Sequence, residues 1–297
     1  MKKIKHYKIV ELLGSGGMGK VYKAFDLMLE RDVAIKVLHR HLWNDKKTDD
    51  RFLQEARAIA RLVHPNIVTI HEVGMAGCGR YIVMEFVQGI PLGQLLMAKG
   101  ALEPEYSIKL AKQVLSGLFS AHKLGILHRD IKLDNILIAD NDIVKILDFG
   151  IAKMTAKKGL TAAGDILGTV EYMAPEQMLG EIVDHRCDIY AAGVVLYQML
   201  TKRLPFQGKD AVAILYKIMN EDPAPPSYYN NQVGQELDQI VLKAISKTRE
   251  ERWETAEAFS IALESVLQND RHPLVLCTAT IWMNFQHCPL KSMLVRI

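Results

Sequence analysis

Residues 128–135 read HRDIKLDN, and Asp148-Phe149-Gly150 follow after a further twelve residues. Among the side chains of the two stretches, three supply carboxylate or carboxamide oxygens and one supplies an ammonium group at notable positions, namely Asp130, Asn135, Asp148 and Lys132. Such oxygens bind hard cations, and a neighbouring lysine can offset the charge of a phosphate. This set of side chains is therefore suited to holding a nucleotide with its metal ions and to orienting a hydroxyl group.

The order His-Arg-Asp, then asparagine five positions after the aspartate, then Asp-Phe-Gly, resembles the protein kinase superfamily. The resemblance implies an α+β fold with two lobes, a small β-rich N-lobe with helix C and a larger, mainly helical C-lobe. It implies that Asp130 is the catalytic base and that Lys132 neutralises the γ-phosphate of ATP. It also implies that Asn135 and Asp148 hold Mg²⁺, with Mn²⁺ as an alternative. A lysine at position 132 is typical of the serine/threonine-specific branch.

Two nucleotide-binding patterns compete for the glycine-rich stretch from Gly14 to Val21, and a plain hairpin turn is a third interpretation. The P-loop pattern requires Ser or Thr after Lys20, where this chain has Val21. The kinase pattern G-x-G-x-x-G-x-V is complete, and β-rich runs rather than a helix follow it. Under the kinase interpretation, the residues that bind the phosphates are Gly14, Ser15, Gly16, Gly17, Met18 and Gly19.

Val33-Ala34-Ile35-Lys36 matches the V-A-I-K strand of kinases, in which the lysine contacts the α- and β-phosphates. That lysine needs a carboxylate to orient it. In the segment 51–63 the apolar residues recur at helical spacing, and Glu55 lies at the edge of the apolar stripe. A carboxylate is costly to bury without a partner, so we expect an ion pair between Lys36 and Glu55. A solvated surface glutamate is the alternative.

The segment 81–87 resembles the strand that leads into the kinase hinge, although an ordinary buried strand explains its apolar residues equally well. The resemblance implies that Met84 is the gatekeeper and that the backbone from Glu85 to Val87 binds the adenine edge. The adenine faces are then expected to contact three apolar side chains, those of Val21, Ala34 and Leu137.

Residues 151–176 resemble an activation loop. Arg129 is similar to the arginine that docks a phosphorylated loop through charge-assisted hydrogen bonds. We expect Thr161 to be the phosphorylation site and Thr169 to contact the catalytic loop.

Three further residues have expected structural roles. Glu176 of the Ala-Pro-Glu motif resembles the partner of a late arginine, here Arg252, and Asp188 resembles the residue that binds the backbone of the His-Arg-Asp motif. The apolar run 189–200 predicts a buried helix in the second lobe.

Composition excludes several classes of function. The chain has 297 residues and a net charge of +3, which does not favour binding of nucleic acid or of an anionic membrane. Its four cysteines lack the spacing of zinc ligands or of a disulfide framework, which favours a reducing, cytoplasmic location. No run reaches the roughly 18 apolar residues of a membrane span, so we expect none.

The expected organisation is an N-lobe and hinge at 1–87, a C-lobe at 88–268 and an extension of unknown role at 269–297. The details look most like the bacterial eukaryotic-like serine/threonine kinases. For the extension, the sequence favours a docked or poorly ordered segment over a membrane-associated one.

The implied activity is ATP-dependent phosphorylation of serine and threonine hydroxyls in proteins, including the chain's own activation loop, with self-association for phosphorylation in trans. The alternatives are a catalytically inactive scaffold with the same fold and a kinase of small molecules.

Overall fold

The computed structural model describes residues 3–17, 19–40, 43, 46–149 and 170–269, which form two lobes. The smaller lobe is built on an antiparallel sheet of six strands in the order β1-β2-β3-β4-β6-β5. Its elements are β1 (Lys3–Ile4), β2 (Tyr7–Gly16), β3 (Gly19–Asp26), β4 (Arg31–Leu38), α1 (Lys46–Ile59), β5 (Ile70–Ala76) and β6 (Gly79–Glu85).

Strand β4 lies inside the sheet and divides its side chains between the two faces. Val33 and Ile35 belong to the small cluster on the outer face, whereas Ala34 belongs to the main core together with Phe52 of α1. Side chains alternate along a strand, so Lys36 lies on the same face as Ala34. Lys36 pairs with Val21 on β3 and with Ile82 on β6, which places it under the glycine-rich hairpin.

Helix α1 differs in its bounds from the predicted helix of residues 51–63. It begins five residues earlier, at Lys46, and ends at Ile59. Phe52 and Ile59 are buried as predicted, but Val63 is 81% exposed and Leu62 is buried instead. The chain leaves the helix before Val63, which removes that residue from the apolar stripe.

The larger lobe is mainly helical and carries a three-stranded sheet, β7-β8-β9, beside the cleft. Its elements are β7 (Gly89–Pro91), α2 (Leu92–Lys99), α3 (Pro104–His122), β8 (Ile136–Ala139), β9 (Val144–Ile146), α4 (Pro175–Leu179), α5 (Arg186–Thr201), α6 (Ala211–Asn220), α7 (Gln235–Ala244) and α8 (Ala256–Asn269). Helix α5 is almost completely buried, which confirms the prediction for residues 189–200.

This arrangement of a β-rich lobe with one helix and a larger helical lobe confirms the predicted fold class. The segment that carries residues 128–135 lies between α3 and β8, and Asp148 follows β9. The two segments lie side by side, because Leu147 N–H donates to the Asn135 oxygen at 2.8 Å. Within the described part of the chain, no helix is long and apolar enough to cross a membrane. Of the predicted extension 269–297, Asn269 ends helix α8, and residues 270–297 lie outside the described residues.

Candidate active site

The predicted catalytic loop, residues 128–135, brings three of the predicted polar side chains together. Asn135 Nδ2 donates hydrogen bonds to the backbone oxygen of Asp130 at 2.8 Å and to its Oδ2 at 3.0 Å. Lys132 Nζ lies 3.7 Å from the same Oδ2. Asp130 and Asn135 are both buried. The Asn135 side-chain nitrogen thus holds Asp130 in place, and the Asn135 side-chain oxygen takes no part in these two hydrogen bonds.

Asp188 on helix α5 holds the start of this loop. Its Oδ2 accepts a hydrogen bond from the His128 backbone N–H at 2.8 Å, and its Oδ1 accepts one from Arg129 N–H at 2.7 Å. Arg129 has a φ of 62°, an uncommon conformation for a residue with a side chain. The two hydrogen bonds stabilise that conformation, as the sequence predicted for Asp188.

His122 is a part of this support that sequence reasoning missed. Its Nε2 lies 2.9 Å from Asp188 Oδ2, and both side chains are almost fully buried. Burial alone would raise the pKa of Asp188, but the hydrogen bond from His122 and the neighbouring histidines hold that pKa below its ordinary value. A histidine at the end of α3 gives no signal in the sequence until α5 is known to pack beside it.

His128 connects the catalytic loop to the segment before Asp148. Its Nδ1 accepts a hydrogen bond from Asp130 N–H at 3.2 Å, so the ring proton lies on Nε2, which donates to the Leu147 oxygen at 2.7 Å. Burial lowers the pKa of His128, which keeps the ring neutral. The ring also contacts Phe149, with 4.6 Å between the ring centroids.

Lys36 forms its ion pair with Asp148 rather than with Glu55. Lys36 Nζ lies 2.8 Å from Asp148 Oδ2, and the lysine is buried. Asp148 has a φ of 51°, and this turn after β9 places its carboxylate within reach of β4. Glu55 is half-buried on α1, whose position relative to the sheet the sequence does not determine. The expected pair with Glu55 is therefore replaced in this structure, and a role of Glu55 beside a bound nucleotide stays a prediction.

The glycine-rich stretch forms the β2–β3 hairpin, in which Gly14 pairs with Val21, Ser15 with Lys20 and Gly16 with Gly19. A Cβ atom added at Gly14 or Gly16 would meet no atom within 4 Å, so there is open space at both positions. Gly19 has a φ of 151°, and a Cβ atom there would lie 2.1 Å from the Val37 oxygen. Only glycine fits at position 19. Met18 lies outside the described residues, and Gly17 belongs to the turn.

The predicted adenine-binding residues surround the end of β6. Ala34 and Met84 are buried, and Val21, Leu137 and Val87 are half-buried. Glu85 donates its backbone N–H to the Thr69 oxygen at 2.9 Å, so an adenine edge would have to pair with other backbone groups of residues 85–87. The Glu85 carboxylate accepts two hydrogen bonds from Lys145 Nζ, at 2.7 and 3.0 Å. This ion pair joins the hinge to β9.

Two of the three activation residues, Thr161 and Thr169, lie outside the described residues. The third, Arg129, has a buried Nε atom that has no hydrogen-bond partner among the described residues.

The predicted structural pair is confirmed. Arg252 donates to both carboxylate oxygens of Glu176, at 2.7 and 2.8 Å, and both residues are buried.

The residues predicted to hold Mg²⁺ fit that ion. Asp148 and Asn135 supply a carboxylate and a carboxamide, which are the hard oxygen ligands that Mg²⁺ prefers. Within the described ranges, no group of three or more His, Cys, Asp or Glu side chains could hold a metal by itself. Mg²⁺ in nucleotide sites is bound by one or two protein groups together with phosphates and water, which agrees with a pair of ligands.

Comparison with known proteins agrees with this geometry. The sequence profile of the protein kinase domain matches residues 7–263. The serine/threonine-protein kinase pkn3 of Myxococcus xanthus is 41% identical over 271 residues, which cover 88% of this chain and 50% of pkn3. PknB of Mycolicibacterium smegmatis is 43% identical over 256 residues, covering 84% of this chain and 41% of PknB. PrkC of Bacillus subtilis is 39% identical over 265 residues, covering 89% of this chain and 41% of PrkC. The chain thus spans half or less of the length of these relatives.

Solved structures show the same fold. The crystal structure of the Mycobacterium tuberculosis PknI kinase domain matches with a TM-score of 0.71 and 25% identity, covering 89% of this chain and 97% of that one. The crystal structure of Rad53 residues 1–466 in complex with AMP-PNP matches with a TM-score of 0.73 and 27% identity, covering 86% of this chain and 64% of that one.

Proposed function

The chain belongs to the protein kinase domain family, and we propose that it transfers the γ-phosphate of ATP to serine and threonine hydroxyls of proteins. One observation carries the proposal, namely that the lysine of β4 and the three polar residues of the two motif segments form two contacting pairs, and that the segments meet where Leu147 N–H donates to the Asn135 oxygen at 2.8 Å. Lys36 lies 2.8 Å from Asp148, and Asn135 lies 3.0 Å from Asp130. A scaffold without catalysis has no need for all four groups.

Asp130 is the residue that meets the substrate hydroxyl in this proposal. Its carboxylate accepts a hydrogen bond from that hydroxyl and so directs the oxygen at the γ-phosphorus. As the new phosphorus–oxygen bond forms, the bond to the β-phosphate oxygen breaks and ADP leaves. The hydroxyl proton passes to Asp130. Because the Asn135 amide holds Asp130 Oδ2, the carboxylate is oriented before the substrate arrives.

Two ammonium groups offset the negative charge of the phosphates. Lys36 approaches from the sheet and Lys132 from the catalytic loop, and both are in a position to act in a cleft of low effective dielectric constant. Asn135 and Asp148 would hold Mg²⁺, or Mn²⁺ in its place, and the bound ion would supply positive charge that offsets the charge of the phosphates. Lys36 would have to exchange its contact with Asp148 for phosphate oxygens when ATP binds.

The acceptor class and the location rest on further support. The relatives pkn3, PknB and PrkC are named serine/threonine-protein kinases, and Lys132 agrees with that branch. The analogue AMP-PNP in the Rad53 complex supports ATP as the donor. Use of ATP and the cysteine pattern favour a cytoplasmic location for this domain. Self-association would allow one copy to phosphorylate another in trans.

Transfer of label from ATP tests the proposal. The protein is incubated with γ-labelled ATP and Mg²⁺ or Mn²⁺, alone and with a generic protein substrate, and the labelled protein is hydrolysed to amino acids. We expect phosphoserine and phosphothreonine and no phosphotyrosine. Nucleotide binding without transfer under any of these conditions would favour the scaffold, and label on a small molecule would favour a small-molecule kinase.

Phosphorylation of the activation loop at Thr161 gives a first specific prediction. The Arg129 guanidinium has a buried Nε atom with no hydrogen-bond partner among the described residues. A phosphate on the loop would accept a charge-assisted hydrogen bond from such a donor. We therefore expect Thr161→Ala to lower the rate of transfer to an external substrate by at least about tenfold, since one lost charge-assisted contact is worth roughly 1.5–3 kcal/mol.

Thr155→Ala is the matched control because Thr155 is the other threonine in the first half of the loop. Its rate should equal that of the unmodified chain. The same loss in both variants, or no loss and no phosphate at Thr161 by mass spectrometry, would rule out Thr161 as the switch.

A further inference from the structure

Strand β9, two residues before Asp148, is held on one side by side chains instead of by a complete strand. On its other side β9 pairs regularly with β8. On the open side, the backbone groups of Ile146 pair with the loop after α1, through the Asn66 oxygen at 2.8 Å and the Val68 N–H at 3.0 Å. The backbone N–H and oxygen of Val144 lie beyond the reach of that loop's backbone, and side chains bind them instead.

Two carboxamides complete the ladder at Val144. The Val144 N–H donates to Gln113 Oε1 at 3.0 Å, and the Val144 oxygen accepts from Asn66 Nδ2 at 2.9 Å. Asn66 Nδ2 also donates to Gln113 Oε1 at 3.0 Å, while Gln113 Nε2 donates to the Asp142 oxygen at 2.9 Å. Because Val144 N–H can only donate, it determines which end of Gln113 is the oxygen, and this in turn orients Asn66. Each of these four hydrogen bonds joins a donor to an acceptor of the correct kind.

Helix α3 is shaped to receive β9 at this point. Gly117, one turn after Gln113, has no side chain, and a Cβ atom there would lie 2.9 Å from Ile146 Cδ1 and 3.3 Å from Ile67 Cγ1. The turn before β9 is fixed to the same helix, since Tyr106 donates to Asp142 Oδ1 at 2.6 Å. Asp142 has a φ of 57°, an unfavourable conformation that these contacts help to maintain.

We propose that Gln113 is a positioning residue for the metal-binding end of β9, acting through Val144 and together with Asn66 to set the place of Asp148. The inference rests on the proposed function for its consequence in phosphate transfer. Asn66 follows helix α1 of the small lobe, whereas Gln113 and Val144 belong to the large lobe. The network therefore fixes the strand of a metal ligand to both lobes at once. Some residues do not bind the metal but orient one of its ligands, and replacing such a residue typically lowers metal affinity or activity by about 10–100-fold.

Three variants on helix α3 test this role. Gln113→Met keeps the length of the side chain and removes both hydrogen-bonding groups. Gln113→Glu keeps an oxygen for Val144 N–H and Asn66, but replaces the donor to Asp142 with a second carboxylate oxygen that faces the Asp142 oxygen. Lys112→Met is the control, because Lys112 is the neighbouring residue and pairs with Glu264 on α8 instead.

The first measurement is hydrogen exchange of the Val144 amide in the protein without nucleotide or metal. The second is the affinity of the AMP-PNP complex for Mg²⁺, measured from thermal unfolding. We expect Gln113→Met to exchange faster at Val144 and to bind Mg²⁺ about tenfold more weakly. Gln113→Glu should lie between Gln113→Met and the unmodified chain in both measurements, and Lys112→Met should equal the unmodified chain. A purely structural residue would alter the urea midpoint and leave the Mg²⁺ affinity of the folded complex unchanged.

Unchanged Mg²⁺ affinity in a folded Gln113→Met variant would overturn the inference, as would Gln113→Glu behaving no better than Gln113→Met. Neither measurement requires phosphate transfer. If the unmodified chain binds Mg²⁺ and AMP-PNP but transfers no phosphate, the proposed function fails while the positioning role of Gln113 is still decided.

Discussion

At the scale of single residues, Arg252 and Glu176 exemplify how buried charges are accommodated in the large lobe. Arg252 donates to both Glu176 oxygens and also to the backbone oxygens of Ser246, Lys247 and Arg186. A buried ion pair is stable only when its remaining hydrogen-bonding groups are satisfied in this way. Breaking one half of such a pair leaves an uncompensated charge.

Replacement of Arg252 by methionine should therefore destabilise the folded chain by about 3–5 kcal/mol, because Glu176 is left buried without its partner. Urea titration of each variant gives the free energy of unfolding and so measures this loss. The control is Lys109→Met, which removes an exposed pair with Glu105 one turn away and should cost no more than about 0.5 kcal/mol. Equal losses of unfolding free energy in the two variants would contradict the prediction that a buried pair matters more than an exposed one. Adding Glu176→Gln to Arg252→Met should recover part of the stability, because it removes the unpaired buried charge.

The residue scale also marks a limit of prediction from sequence. Motif spacing is sufficient to predict Lys36, Asp130, Asn135 and Asp148 as candidate site residues, because each occupies a fixed place in a short ordered pattern. The partner of Lys36 is different, since Glu55 and Asp148 lie on different elements and the motifs do not determine which of them contacts the lysine. Asp148 is the partner here, at 2.8 Å, and only the three-dimensional arrangement decides between it and Glu55.

At the scale of elements, a polar cluster fastens the first strands of the chain to the far side of the sheet. Glu72 on β5 accepts hydrogen bonds from Tyr81 on β6 at 2.7 Å, from Tyr7 on β2 at 2.7 Å and from Lys5 at 2.9 Å. Burial raises the pKa of Glu72, but these three hydrogen bonds outweigh it and lower the pKa from 4.5 to about 2.

The lowered pKa makes the stability of the sheet depend on pH. Because the folded-state pKa lies below the unfolded-state value, the contribution of Glu72 is present above pH 4.5 and is lost as pH falls toward about 2. We expect Glu72→Gln to be less stable than the unmodified chain at pH 6 and the difference to shrink as pH falls through this window. Urea midpoints at each pH measure it. Glu11→Gln, on an exposed position of β2, is the control, and a difference that stays constant with pH would contradict the assignment.

Element bounds are harder to predict than element types. The apolar spacing correctly indicates a helix that buries Phe52, Ala56 and Ile59, yet it extends the helix to Val63. The chain leaves the helix after Ile59 because the following loop must reach β9, where Asn66 and Val68 pair with Ile146. Such tertiary pairing has no local signal. The same holds for His122, whose partner Asp188 lies 66 residues away in the chain.

At the scale of the whole molecule, the two lobes meet where the chemistry is proposed to occur. The sheet of the small lobe supplies Lys36, and the predicted catalytic loop of the large lobe supplies Asp130 and Asn135. Contacts also cross between the lobes at Glu85–Lys145 and at Asn66–Val144. The two-lobed architecture follows from the motifs through family resemblance, whereas these crossing contacts become visible only in the folded chain.

The central claim is that Asp130 takes part in the transfer step while other groups bind the nucleotide. The most direct test is Asp130→Asn, with Asp134→Asn as the control because Asp134 is an exposed aspartate of the same loop. Both the affinity for ATP and the rate of label transfer to a protein substrate are measured. We predict that Asp130→Asn binds ATP within about threefold of the unmodified chain and transfers phosphate at least about 10²-fold more slowly, with Asp134→Asn retaining transfer. Transfer at an unchanged rate by Asp130→Asn would contradict the account.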